Sequence, residues 1–245
     1  MVAAKTLQTS ARAWVLPPIA LTDGAVESLK WLALVLMTVD HINKYLLHET
    51  VPTMFAIGRT SLPIFAFVLA FNLARPGTLA RGVYGRLIRR LAVVGAAASA
   101  PFIALGGLVW GWWPLNVLAM LLVAVAVMYL VDLGGRARVA LAVLVFLVGG
   151  AIVEFWWLGV ATCLGAWRYC KRPSWPALFV WIGSTAALYV INQNLWALAA
   201  IPVIFAATGL RVSVPRLQRA FYGYYPAHLC VLWAAREWLQ LGGTA

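Results

Sequence analysis

From Trp31 to Leu239 the chain is a succession of apolar runs, broken by short polar, basic or Gly/Pro-containing turns. A helix that crosses a bilayer needs about 20 largely apolar residues, with a range near 17–25, and most of these runs approach that length. Apolar residues make up 64% of the 245 and charged residues 11%, with a mean hydropathy of +0.88. An ordinary soluble domain holds roughly 45–50% and about 25%. A globule of this size keeps too much of its surface in water to hide so many apolar groups. Lipid is therefore the expected solvent, and the lipid bilayer the first partner. Disorder, a collagen-like fibre, a coiled coil and a soluble single-core enzyme are excluded. Long period-2 segments are missing, which favours a helical bundle over a β-barrel.

The expected fold is all-α: a polytopic integral membrane helical bundle forming one transmembrane domain over residues 1–245, with a lead-in at 1–29 and the bundle at 30–240. The runs give about nine crossings. The first starts near Lys30, with Asp23 as a plausible N-cap and Glu27 in the first turn. The others are MFAIGRTSLPIFAFVLAFNLA, LAVVGAAASAPFIALGGLV, LNVLAMLLVAVAVMYLV, VALAVLVFLVGGAIV, FWWLGVATCLGAW, WPALFVWIGSTAALYVI, LWALAAIPVIFAATGL and AFYGYYPAHLCVLWAAREWL. The middle pair is short, and tilted, re-entrant or fused helices remain alternatives there. With the N-terminus in the cytoplasm, sixteen of the nineteen basic residues fall on that side, all but Lys44, Arg59 and Arg236. The positive-inside rule thus favours two crossings for the middle pair. Many of the thirteen Trp, such as Trp112, Trp113 and Trp238, lie near span ends, as in an interfacial aromatic belt.

The net charge of +12 reads as a topology signal. No basic patch interleaves with aromatics in a polar domain, so a nucleic-acid partner is not expected. Cys163, Cys170 and Cys230 form no CxxC, and no metal site is expected. The N-terminal stretch has no continuous apolar region before a cleavage site and is interrupted by Pro17-Pro18, so it reads as an uncleaved cytoplasmic lead-in. There is no Walker loop, H-E-x-x-H or G-x-S-x-G motif.

Asp40, His41, Asn43 and Lys44 crowd the far end of the first run. An ionisable group at membrane depth costs about 2.5–3.5 kcal/mol on insertion scales, so several in one helix point to function. Helical spacing gathers Asp40, Asn43 and Lys44 on one face, and His41 lies three residues from Lys44. An interhelical salt bridge or a snorkelling lysine is the structural alternative. The carboxylate beside the imidazole suggests that Asp40 orients His41, directly or through another group. Arg59, bracketed by Gly58 and Pro63, lies on the cation-poor side. With Ser61 it suits an anionic group or a developing oxyanion, and Pro63 is expected to free backbone carbonyls. His228, with Tyr224, Tyr225 and Pro226, marks a polar, kinked opening in the last run. Asn72, Asn116 and Glu154 read first as interhelical hydrogen-bonding residues.

The segments DGAVESLKWLALVLMTVDHINKYLL, IGRTSLPIFAFVLAFNLARP, PLNVLAM and YYPAHL resemble the TraX family. The densest stretch runs from Asp23 to Pro76, carried by K-W-x-A, M-x-x-D-H-I-N-K and G-R-x-x-x-P-I-F-A-F. That family comprises bacterial inner-membrane proteins of conjugation systems, named for the acetylase that modifies the pilin N-terminus; the TrbP proteins are similar. It also looks distantly related to membrane acyltransferases with an intramembrane histidine, matched here by His41. The resemblance implies acetyl transfer from acetyl coenzyme A to the N-terminal amine of a membrane-inserted pilin. An α-amine has a pKa near 8, against about 10.4 for lysine, so a histidine base can deprotonate it. His41 would be the base, Asp40 its orienting group, and Lys44 or Arg59 the oxyanion donor. Asn43, Ser61, Asn72, Asn116, Tyr225 and His228 would serve the substrate, His228 also as a second base. Arg86, Arg89 and Arg90 would hold the anionic end of the donor. Head-to-tail cyclisation of the pilin, a non-enzymatic pilin scaffold and a small transporter are the alternatives.

Overall fold

The computed structural model describes residues 16–242, and among these the protein is all-helical apart from two isolated bridges. The helices are α1 (Asp23–Tyr45), α2 (Pro52–Gly58), α3 (Ser61–Ala74), α4 (Val83–Ala104), α5 (Val117–Leu133), α6 (Arg136–Ile152) and α7 (Trp156–Lys171). They continue with α8 (Trp175–Ala187), α9 (Tyr189–Asn192), a 3-10 turn (Trp196–Ala199), α10 (Ala200–Ala207) and α11 (Gln218–Gly242). Among the described residues, three helical stretches are long and apolar enough to cross a membrane: Pro52–Ala74, Val83–Ala104 and Trp175–Asn192. Val117–Leu133 and Trp196–Ala207 are shorter apolar helices.

α1 starts at Asp23, well before Lys30, and its N-cap is Thr22, whose hydroxyl accepts from Ala25 N at 3.1 Å. Asp23 is instead the first helical residue, where its charge meets the positive end of the helix dipole. The break between α2 and α3 falls at Arg59–Thr60. Pro63 therefore sits in the first turn of α3. A missing N–H costs little there, and the expected release of carbonyls in a mid-helix kink does not occur.

The middle pair is two helices. Glu154 N donates to Leu115 O at 2.8 Å and Leu115 N to Ile152 O at 2.8 Å, pinning the α6–α7 turn to the residues ahead of α5. Phe155 and Trp156 complete the reversal with φ of 60° and 49°. Between α5 and α6, Gly134 and Gly135 take φ of 67° and 88°, which favours glycine.

α3 is the central helix, with Ile64, Ala66, Phe67 and Ala70 fully buried between α1 and α7. Phe67 stacks on the buried Trp181 of α8 at 5.4 Å. Gly165 of α7 allows this closeness, since a Cβ there would lie 2.6 Å from Trp181 Cα. Large apolar side chains on the outer helices, including Val143, Leu147, Phe179 and Val231, remain more than half exposed. That surface suits lipid.

Successive helical stretches reverse direction, so the bundle has two distinct ends. At one, Arg75 and Arg216 both pair with Asp23, and Lys171 pairs with Asp132. The other carries Lys44, Arg59, Glu154 and Arg236. Lys5 and Arg12 lie outside the described residues.

Candidate functional site

The last turns of α1 meet α2, α3 and α11 at the arginine-poor end. Asp40 forms an ion pair with Arg59, and the two side chains keep 13% and 14% of their exposure. The Arg59 guanidinium also lies 4.3 Å from the Phe55 ring centre. Its Nε is buried with no hydrogen-bond partner among the described residues. An unused buried donor is costly to maintain and is ready for an incoming oxygen. Gly58 makes the contact possible, because a Cβ there would fall 2.4 Å from Asp40 Cβ.

Asp40 is thus spent on Arg59, not on Lys44 or on His41. The partner of His41 comes from α11: its Nδ1 lies 2.7 Å from Nε2 of His228. Nδ1 of His228 lies 3.1 Å from the Tyr224 carbonyl oxygen. A carbonyl only accepts, so for neutral rings Nδ1 of His228 carries the hydrogen and Nε2 is the acceptor. Nδ1 of His41 must then donate, which leaves the lone pair on Nε2 of His41. Tyr224 also bonds across to α1, its hydroxyl 2.7 Å from Thr38 Oγ1.

His41 lines a pocket of about 170 Å³ together with Asp40, Lys44, Arg59, Ser61 and Tyr225. Glu154, Asn192 and Tyr224 add to its polar lining. Lys44 is exposed, with Nζ 5.2 Å from the Tyr45 ring centre. Sequence reasoning gave Glu154 only an interhelical hydrogen-bonding role and passed over Asn192. A lone glutamate between two short apolar runs was the available signal for the first. Nothing local marks the second, which ends α9 in a polar turn.

Two expected substrate residues are used otherwise. Asn43 donates to Val51 O and accepts from Val51 N, both at 3.1 Å, clamping the α1–α2 loop. Asn116 caps α5 by accepting from Leu118 N and Ala119 N, while its Nδ2 donates to Gly95 O and Ser99 Oγ. Neither lines either of the two pockets described here.

A second pocket, of about 510 Å³, opens at the arginine-rich end and takes in Arg75, Arg81, Arg86, Arg90 and Arg216. Asn72 lines it; Arg89 is exposed and does not. Asp23, at the start of α1 ahead of its apolar part, accepts from Arg75 at 2.7 Å. That hydrogen bond, with the charge of Arg75 and Arg216, holds its carboxyl below the usual range. Phe65, Leu118, Leu121, Phe221 and Tyr225 line both pockets, so the two share a wall.

A family model described as TraX protein matches residues 25–236. The chain belongs to the TraX family. The match takes in every residue of the first pocket and the arginines of the second. A stretch of 74 residues is 35% identical to Protein TraX of Escherichia coli (strain K12), covering 30% of this chain and 29% of that protein. No solved structure matches the chain.

Proposed function

We propose that this TraX-family chain is a membrane-embedded acyltransferase of the bacterial inner membrane. It transfers an acetyl group from acetyl coenzyme A to the N-terminal amine of a membrane-inserted pilin of a conjugation system. The observation that carries the proposal is the shared wall between an arginine-lined pocket and the pocket holding His41. An anionic nucleotide end suits the arginines, and a thioester reaching along that wall would meet the histidine. In this reading the chain crosses the membrane about nine times as one domain, with its N-terminus in the cytoplasm.

The reaction is aminolysis of a thioester. The acceptor ammonium first gives one proton to solvent. The free amine attacks the carbonyl carbon, and the C–N bond forms as the oxygen becomes an oxyanion. Nε2 of His41 takes a proton from the nitrogen, and the C–S bond then breaks with that proton passing to sulfur. The Arg59 Nε–H is the candidate oxyanion donor, with Lys44 as a second cation. Such a donor is worth about 2.7–4 kcal/mol in the transition state.

The test is the intact mass of pilin co-expressed with the chain. A gain of one acetyl group is expected, and His41→Ala should lower it by about 10²–10⁴-fold. Loss of water would indicate cyclisation instead. An unchanged mass would overturn both and leave the scaffold or transporter.

A further inference from the structure

The first pocket has an end that the acyl donor does not need. Glu154 lines it from the α6–α7 turn, at the arginine-poor end of the bundle. Among the described residues its carboxylate forms no ion pair within 4.0 Å. Asn192, from the last turn of α9, lines the same pocket and is 3% exposed. Its Oδ1 is buried with no hydrogen-bond partner among the described residues. These two acceptors come from parts of the chain far apart in sequence and converge on one cavity. Tyr225 supplies an aromatic wall beside them.

An acceptor-rich, partly desolvated end calls for a ligand with several N–H donors and a positive charge. The nearby cations Lys44 and Arg59 act on Glu154 only from a distance, and neither forms an ion pair with it. Arg59 is paired with Asp40, and Lys44 rests over the Tyr45 ring while exposed. The buried Asn192 Oδ1 left unfilled costs free energy, and the half-buried Glu154 carboxylate, which meets the backbone N–H of Val117, has no paired cation beside it, so the arrangement is explained by a cation that fills both.

We propose that Glu154 and Asn192 form a cradle for a primary ammonium group carried on an apolar chain. The inference rests on the acyl-transfer reading for its purpose, because the cradle positions the amine that is to be acylated. It does not rest on that reading for its test. The Glu154 carboxylate and the Asn192 amide oxygen accept N–H bonds, and the apolar remainder of the ligand leaves towards lipid. The anionic donor is drawn to the arginine end and the cationic acceptor to the glutamate end, so the two substrates approach His41 from opposite sides.

The experiment is equilibrium binding to the full chain in lipid nanodiscs, with no thioester present. The probe is a short apolar peptide beginning with alanine, compared with the same peptide acetylated at its N-terminus. The free-amine peptide should bind at least about tenfold more tightly, a difference of 1.4 kcal/mol. Glu154→Gln should remove that preference while the acetylated peptide still binds, which also reports that the variant is folded. Equal binding of the two peptides by the unaltered chain overturns the cradle without recourse to any variant. A preference that survives Glu154→Gln overturns the role of that carboxylate. Discrimination without acetylation of co-expressed pilin sinks the acyltransferase reading and leaves the cradle standing; acetylation without discrimination does the reverse.

Discussion

Asp40 and Arg59 share one shielded site, and removing either charge strands the other. Asp40→Asn or Arg59→Gln should each cost about 3–5 kcal/mol, the loss typical of a broken buried pair. Thermal melting of the full chain in detergent would measure it. The double variant Asp40→Leu, Arg59→Met should recover much of that stability, since apolar replacements of such pairs are well tolerated, yet stay inactive in pilin acetylation. His228 acts at one remove, through the tautomer of His41. His228→Ala should lower kcat by about 10–100-fold, as loss of a partner that orients an imidazole does elsewhere, with little change in the KM for the donor. His228→Gln should restore part of the loss, because its amide oxygen can still accept from Nδ1 of His41. A merely structural role would give no such split and no such rescue. The polar end of α1 was legible in the sequence because charge at membrane depth is expensive. Its pairings were not. Helical spacing favours local partners such as Asp40 and Lys44, whereas the bonds formed join residues 19 and 187 positions apart. Such distances are set by interhelical packing, which no single-helix periodicity encodes.

Among the elements, the α1–α2 contact is the one the site depends on most closely. Gly58 ends α2 against Asp40, and there is no room for a methyl group between them. Gly58→Ala should therefore separate the helices at a cost of about 1–3 kcal/mol, as overpacking does, and displace Asp40 from Arg59. Gly183 of α8 is the matched control, since a Cβ there meets nothing within 4 Å. Gly183→Ala should be neutral or stabilise by up to about 0.5–1 kcal/mol. Melting temperatures of the two variants measured side by side check the pair of predictions. Hydropathy located the helices well: each apolar run of the sequence falls on helical structure. It located their ends less well. α1 gains its first turn from the cap at Thr22, a local hydrogen bond that an average over apolar residues does not register. The α6–α7 reversal carries neither Gly nor Pro in Val153–Phe155. It is made by hydrogen bonds to Leu115, so only the tertiary structure distinguishes it from one long helix.

Taken as a whole, the molecule separates its charges by end. The loops at one end hold the arginines around Asp23 and Asp132, while Lys44, Arg59 and Arg236 sit at the other. This asymmetry was visible in the sequence because loop charge survives any error in helix boundaries. The wall common to the two pockets was not, because it draws on α3, α5 and α11 together. In the orientation proposed above the basic loops face the cytoplasm, as the positive-inside rule expects, and that orientation can be measured. In a variant with Cys163, Cys170 and Cys230 replaced by alanine, single cysteines at Arg138 and Arg211 should react with a membrane-impermeant maleimide only after the cells are opened. Cysteines at Val109 and Gln193, both exposed at the other end, should react in intact spheroplasts. The paired sites Arg138 and Arg211 flank the α6–α7 hairpin and the stretch beyond it. If they labelled from opposite sides, the chain would make an odd number of crossings between them, and α11 would be inverted. His228 would then enter the bundle from the wrong face to meet His41, so the same labelling pattern that fixes the topology also tests the histidine pair.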